Sequence, residues 1–160
     1  MPGLPQLVEE DIEVMDAALD ELLRQSEAVA ALVIDKGGPL IVQRGDVERF
    51  DTTTMAALAA GSYSATQAIA ERMGETNFSS VYQQGEQCSL LVCNVDENLL
   101  LVVVFKADLS AGAVKFYAGA VSKRISDQLE RAKLRAPEST VDLVSMNVLD
   151  ATPLFKKKTE

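Results

Sequence analysis

The side chains in this sequence with obvious chemical potential are two cysteines, two loop arginines (Arg44 and Arg49) and many carboxylates, with no histidine among them. Histidine is the commonest general base and metal ligand, so a serine or cysteine nucleophile here lacks its usual activator. Cys88 and Cys93 lie five apart. On one strand an odd separation sends them to opposite faces, which excludes a mutual disulfide and predicts two buried, reduced thiols. No cysteine spacing suits zinc, and neither GxxxxGK[ST] nor GxGxxG occurs; Gly37-Gly38-Pro39 lacks the lysine and the following helix of a phosphate loop. The carboxylates fall on helix faces and in turns, where no dry pocket tunes them for acid–base work. The expectation is a protein that acts by contact and is not an enzyme, with no cofactor and no bound metal.

Charge narrows the partners. The 160 residues carry a formal charge of −9, a sign that repels phosphate backbones and argues against nucleic acid. The segment from Glu9 to Glu27 is densely acidic with Arg24 as its one cation, whereas Lys123, Arg124, Arg131, Lys133 and Arg135 gather late. The opening MPGLPQLVEED has no basic stretch followed by an apolar run, and Leu99 to Phe105 is too short to span a bilayer. A cytoplasmic protein without membrane insertion is expected.

The elements that must present any contact surface follow from periodicity. Val8, Ile12, Met15, Leu19 and Leu22 recur at helical spacing, predicting a first helix that ends near Ser26. VAALVID is a buried strand, turned by Gly37, Gly38 and Pro39 into LIVQR. Asp51 is placed to cap a second helix that Gly74 closes. FSSVYQQ, CSLLVCNV and LLLVVVF read as three further strands; the unbroken apolar run of the last puts it mid-sheet, covered on both faces. Asp108 or Ser110 opens a last helix with Val114, Tyr117, Val121, Ile125 and Leu129 on one stripe, and Pro137 is expected to stop it. Residues 5–135 form one domain and 136–160 a tail, in which Val141 to Phe155 is expected to dock back. Short turns within strand groups and helices on both faces define a three-layer α/β sandwich with an antiparallel sheet.

The middle helix, DTTTMAALAAGSYSATQAIAERMG, is unusual. Met55, Leu58, Ser62, Ala65, Ile69 and Met73 follow steps of three or four and hold its larger aliphatics, so this stripe is expected to face the sheet. Displaced around the helix run Ala57, Gly61, Ser64 and Ala68, all small and none charged, flanked by Tyr63 and Gln67. Small residues at a crossing permit close helix approach, so another chain is expected there, the alternative being that alanine is simply a strong helix former and this face meets the chain's own loops. FSSVYQQ is the least apolar strand and carries neither Pro nor Lys to block an exposed edge. A homodimer pairing these edges, with the middle helices side by side, accounts for both features.

These segments together resemble the roadblock/dynein light-chain superfamily, and within it the bacterial MglB-like regulators of Ras-like small GTPases. The resemblance rests on ALVIDKGGPLIVQRG, the DTTT helix with its AAG, FSSVYQQGEQCSLLV and LLLVVVF, in order over residues 5–135. It implies a five-stranded antiparallel sheet with the middle helix on one face and the terminal helices on the other. It implies dimers joined through the middle helices and third strand, here Ala60, Ala65, Phe78, Val81 and Tyr82. It implies binding of one GTP-loaded Ras-like GTPase across the paired helices, at Ala57, Gly61, Ser64, Gln67 and Ala68, with Val14 nearer the rim. Hydrolysis would be stimulated by repositioning the GTPase's own groups, with an arginine finger from Arg44 or Arg49 as the mechanistic rival. A scaffold that leaves hydrolysis unchanged and a small-ligand sensor are the other readings.

Overall fold

In this computed structural model residues 3–135 are described with their side chains. The chain runs α1 (Glu9–Ser26), β1 (Ala30–Asp35), β2 (Leu40–Gly45), a short 3-10 turn (Val47–Arg49), α2 (Thr52–Arg72), β3 (Ser80–Gln83), β4 (Cys88–Asn94), β5 (Leu99–Lys106) and α3 (Ala111–Lys156). α3 runs past Pro137, where the sequence predicts its end; a proline costs a helix one hydrogen bond and a kink but does not always end it. The segment Val141 to Phe155 lies outside the described side chains.

The five strands form one antiparallel sheet in the order β2-β1-β5-β4-β3. β5 sits in the centre because every residue from Leu99 to Phe105 is apolar and buried, which only a doubly covered strand satisfies. β3 is the short, polar edge.

Alternation along the strands divides the core into two layers. Ala31, Val33, Leu99, Leu101, Val103 and Phe105 point to one face, where Met15, Leu19 and Leu22 of α1 and Val114, Val121, Ile125 and Leu129 of α3 cover them. Leu32, Ile34, Val92, Leu100 and Val102 point to the other, under Ala56, Ala59, Ala60 and Tyr63 of α2. One helix thus lies on one face and the two terminal helices on the other, as expected.

Local signals act where the sequence places them. The Thr54 N–H donates to Asp51 Oδ1 at 3.2 Å, capping α2. Gly74, at φ +79°, supplies the left-handed turn beyond its other end. For α3 the choice between caps falls to Ser110, whose Oγ accepts from the Ala113 N–H at 3.3 Å.

Two expectations are corrected. The stripe Met55, Leu58, Ser62, Ala65, Ile69, Met73 does not face the sheet: Leu58 is 68%, Ile69 58% and Met73 78% exposed, while Ala56, Ala59, Ala60, Tyr63 and Ala70 are buried. The sheet's own Leu, Ile and Val side chains fill this layer, so the helix contributes little volume and settles on alanines. Tyr63 accordingly belongs to the core, not to the flank of the small stripe. The second correction concerns the cysteines: Cys93 is buried but Cys88 is exposed, because it begins β4 opposite Lys106 at the end of the strand pair.

Candidate functional site

The outward half of α2 has two flanks. At about 100° per residue, Ala57, Gly61, Ser64 and Ala68 form one flank; Met55, Leu58, Ser62, Ala65, Ile69 and Met73 form the other. Ala57, Gly61, Ser64 and Gln67 are exposed and Ala68 half-buried. Among the described residues a Cβ built on Gly61 would meet nothing within 4 Å. From Thr52 to Ala70 the helix carries no charge. A helix that met only water would carry Glu, Lys or Arg on this side.

The small flank starts beneath the β1–β2 turn. Gly38, at φ +120°, brings its Cβ position to 3.7 Å from the Ala57 Cα. On the aliphatic side a cleft of about 310 Å³ separates α2 from the sheet margin, lined by Met55, Leu58, Ala59, Ser62, Gln83 and Leu90. Another, of the same volume, opens near the end of the helix beside Gln67, Glu71 and Phe78. The aliphatic flank therefore leans toward edge strand β3.

Among the residues expected at a dimer seam, the structure brings together some and separates others. Ala65 is exposed on the aliphatic flank. Phe78 packs 4.9 Å from the Tyr63 ring, and it and Val81 lie on the α2 side of the sheet. Tyr82 points to the opposite side, its ring stacked 6.1 Å from Phe105 and its side chain 44% exposed past the edge. Ala60, at 3% exposure, lies under α2 against the sheet and is absent from the outer surface.

Electrostatics at the rim are sparse. The Asp51 carboxyl is held below its usual range by the Thr54 hydroxyl and N–H. Lys36 places its ammonium 5.7 Å from the Tyr63 ring centre, and burial pulls its pKa down against the pull of Asp96 and Glu97. Arg44 is bound bidentately to Asp20 of α1, 3.0 Å for each contact, on the far side of the sheet from α2. Arg49 pairs with Asp46 at 3.4 Å in the loop before α2. Val14 lies between α1 and α3, also on the far side.

Among the described residues no group of three acids or cysteines is placed to hold a metal. No helix among them is long and apolar enough to cross a membrane. Sequence reasoning missed the exposed aliphatic flank, whose sign was the bulk already present on both faces of β1 and β5. It also missed Asp11, an acid among acids that is fully buried.

Among the described residues the domain is thus a helix-flanked antiparallel sheet with an unpaired edge strand and an uncharged, outward helix face. The Roadblock/LC7 domain model matches residues 15–105, and the chain belongs to that family. It is similar to MglB from Myxococcus xanthus, with 29% identity over 79% of this chain and 96% of that one, at a TM-score of 0.74. It is similar also to the gliding protein MglB from Thermus thermophilus, with 30% identity over 82% and 99% of the two chains, again at 0.74. A Roadblock/LC7 domain from Streptomyces avermitilis shares the fold at 20% identity over 72% and 97%, with a TM-score of 0.65. The search of curated proteins finds no match. Within its family, then, the chain is MglB-like.

Proposed function

We propose that the chain works as a homodimer joined along α2 and the β3 edge, and that the paired helices bind a Ras-like small GTPase in its GTP-bound state and stimulate hydrolysis. The observation that carries this reading is the uncharged outer half of α2, with Leu58, Ile69 and Met73 exposed beside an edge strand that nothing among the described residues blocks. The aliphatic flank, nearer β3, serves the seam together with Ala65, Phe78, Val81 and Tyr82. The small flank, Ala57, Gly61, Ser64 and Ala68 with Gln67, is left as a trench for the GTPase.

The protein itself supplies no catalytic group in this reading. By binding one arrangement of the switch loops more tightly than the others, the dimer shifts their population toward the one that places the attacking water. The engagement of Arg44 with Asp20 on the opposite layer supports a mechanism without an arginine finger from that position. Residues 5–135 form the acting domain and 136–160 its tail. The gliding protein among the similar structures supports a cytoplasmic role in bacterial polarity or motility.

Two measurements test this. Sedimentation of wild type and Leu58→Asp should show a dimer and a folded monomer respectively. Phosphate release from a GTP-loaded Ras-like GTPase should accelerate with wild type and with Arg49→Ala, and not with Gly61→Arg. Binding without acceleration would leave an adaptor; a wild-type monomer that neither binds nor accelerates would remove the proposal.

A further inference from the structure

The turn between β1 and β2 holds Lys36 in a fixed place. The Lys36 N–H donates to the Asn98 carbonyl at 2.8 Å, tying this turn to the one between β4 and β5. Within the turn the Asp35 N–H donates to the Pro39 carbonyl at 2.8 Å and the Gly38 N–H to the Asp35 carbonyl at 2.9 Å. The same turn walls the small flank of α2. Gly38 reaches Ala57, and the Lys36 ammonium lies 5.7 Å from the ring centre of Tyr63, the neighbour of Ser64.

Lys36 is half-buried, yet among the described residues its ammonium makes neither an ion pair nor a hydrogen bond. Asp96 and Glu97 draw on it from beyond ion-pair distance, and both are engaged by Lys133, at 3.7 and 2.8 Å. The Tyr63 ring is a weak substitute, since 5.7 Å is close to the limit of about 6 Å for such a contact. Burial disfavours the charged form and pulls its pKa down, so the domain bears this charge without a bond in return. Its neighbours among the cations are committed: Arg49 pairs with Asp46, and Arg72 donates to the Ala68 carbonyl at 3.2 Å.

We propose that Lys36 is a specificity residue of the trench, its ammonium receiving the carboxylate of an Asp or Glu side chain on the GTPase that docks there. This rests on the proposed function and names one of the contacts through which it works. An ammonium has three donors, and in a half-buried recess they need an anion once docking removes the remaining water. A side-chain carboxylate fits better than a nucleotide phosphate. The ammonium lies level with a ring that α2 covers, at 3% exposure, and does not project as a finger would. Asp96 and Glu97 nearby also repel a multiply charged phosphate more than a single carboxylate. With a net charge of −9, the chain repels most acidic surfaces, so a cation beside an uncharged helix face sets where an acid is accepted. A partner without that acid leaves the ammonium buried and unpaired, which selects against it.

The test titrates a GTP-loaded Ras-like GTPase with the full chain and reads affinity and rate separately. Lys36→Met keeps the stem and removes the charge. It should weaken binding at least about tenfold, while the hydrolysis rate at saturation stays that of wild type, because Lys36 touches no reacting atom. Lys106→Met removes the same charge at the far end of β5 and should leave affinity within about twofold. A merely structural lysine would lower the urea midpoint when replaced; here Lys36→Met should match or exceed wild type, since a buried unpaired charge is gone. Changing surface acids of the GTPase one at a time to Asn or Gln should reveal one whose loss equals that of Lys36→Met and adds nothing to it in combination. The proposal is overturned if Lys36→Met binds as wild type does, if it loses the saturating rate in place of affinity, or if no acid couples to it. A wild-type chain that binds no GTPase removes the proposed function and this proposal with it, whereas unchanged binding by Lys36→Met removes this proposal alone.

Discussion

Asp11, wholly buried, accepts a hydrogen bond from Gln128 Nε2 at 2.7 Å across the seam between α1 and α3. The same carboxylate takes the Val8 N–H at 2.8 Å, closing the first turn of α1, and meets the Arg135 guanidinium. Burial raises its pKa, but the Val8, Gln128 and Arg135 contacts together outweigh burial and hold it below the usual carboxylate value. One acid therefore ties the start of the domain to its last described turn.

Replacing Asp11 with Ala leaves the buried Gln128 amide without this acceptor and removes the Val8 and Arg135 contacts to it, at a cost of about 1–3 kcal/mol, read as a lower urea midpoint. The pH dependence has a definite sign. A depressed carboxylate contributes stability that is fully present above its unfolded pKa, about 3.9, and is lost as pH falls through the lower folded value. Asp11→Asn should therefore flatten the acid limb of the stability curve below about pH 4. An unchanged acid limb would show that the cluster carries no charge-dependent stability.

Much of this fold is legible in the sequence because its rules are local. The run Leu99 to Phe105 demands a central strand, and the α1 and α3 stripes face the core as their spacing requires. The orientation of α2 was not legible. Its aliphatic stripe has the period of a core face, and which face turns inward depends on how much volume the opposing sheet already supplies. With Leu32, Ile34, Leu100 and Val102 beneath it, the helix buries alanines. The small flank of the candidate site survives this reversal, since it is exposed in either case, but its neighbour changes from core to open surface. Asp11 was hidden for a similar reason. Its partner Gln128 is 117 positions away, and no local pattern announces the pairing.

The inward face of α2 can be tested directly. Ala60 is 3% exposed against the sheet, so Ala60→Leu overpacks that layer and should cost about 1–3 kcal/mol. Ala57→Leu adds the same atoms to an exposed position and should stay within about 0.5 kcal/mol of wild type. Thermal melts of the two variants decide it. Equal losses would mean that the helix is rotated from the orientation described.

The cysteines should react unequally. Cys88 is exposed, whereas Cys93 is 8% exposed and burial pushes its thiol up to about 11. Because the thiolate is the reactive form, a disulfide reagent at pH 8 should titrate one equivalent quickly in the folded protein. The second should appear only in denaturant. Cys88→Ser should remove the fast phase and leave the fold unaffected.

Gly61 separates what the fold needs from what a partner needs. A glycine inside a helix costs about 1 kcal/mol against alanine, and a Cβ here would meet nothing among the described residues. Gly61→Ala should therefore stabilise the protein by about 0.5–1 kcal/mol, seen as a higher urea midpoint at low concentration. On the proposed function, a residue that weakens its own helix and relieves no clash among the described residues makes room for the docked GTPase. Accordingly Gly61→Ala should lose part of the GTPase affinity and Gly61→Arg nearly all of it, with stability preserved in both. Calorimetric titration against the GTP-loaded partner measures this directly: undiminished affinity in Gly61→Arg would show that nothing docks over this turn of α2.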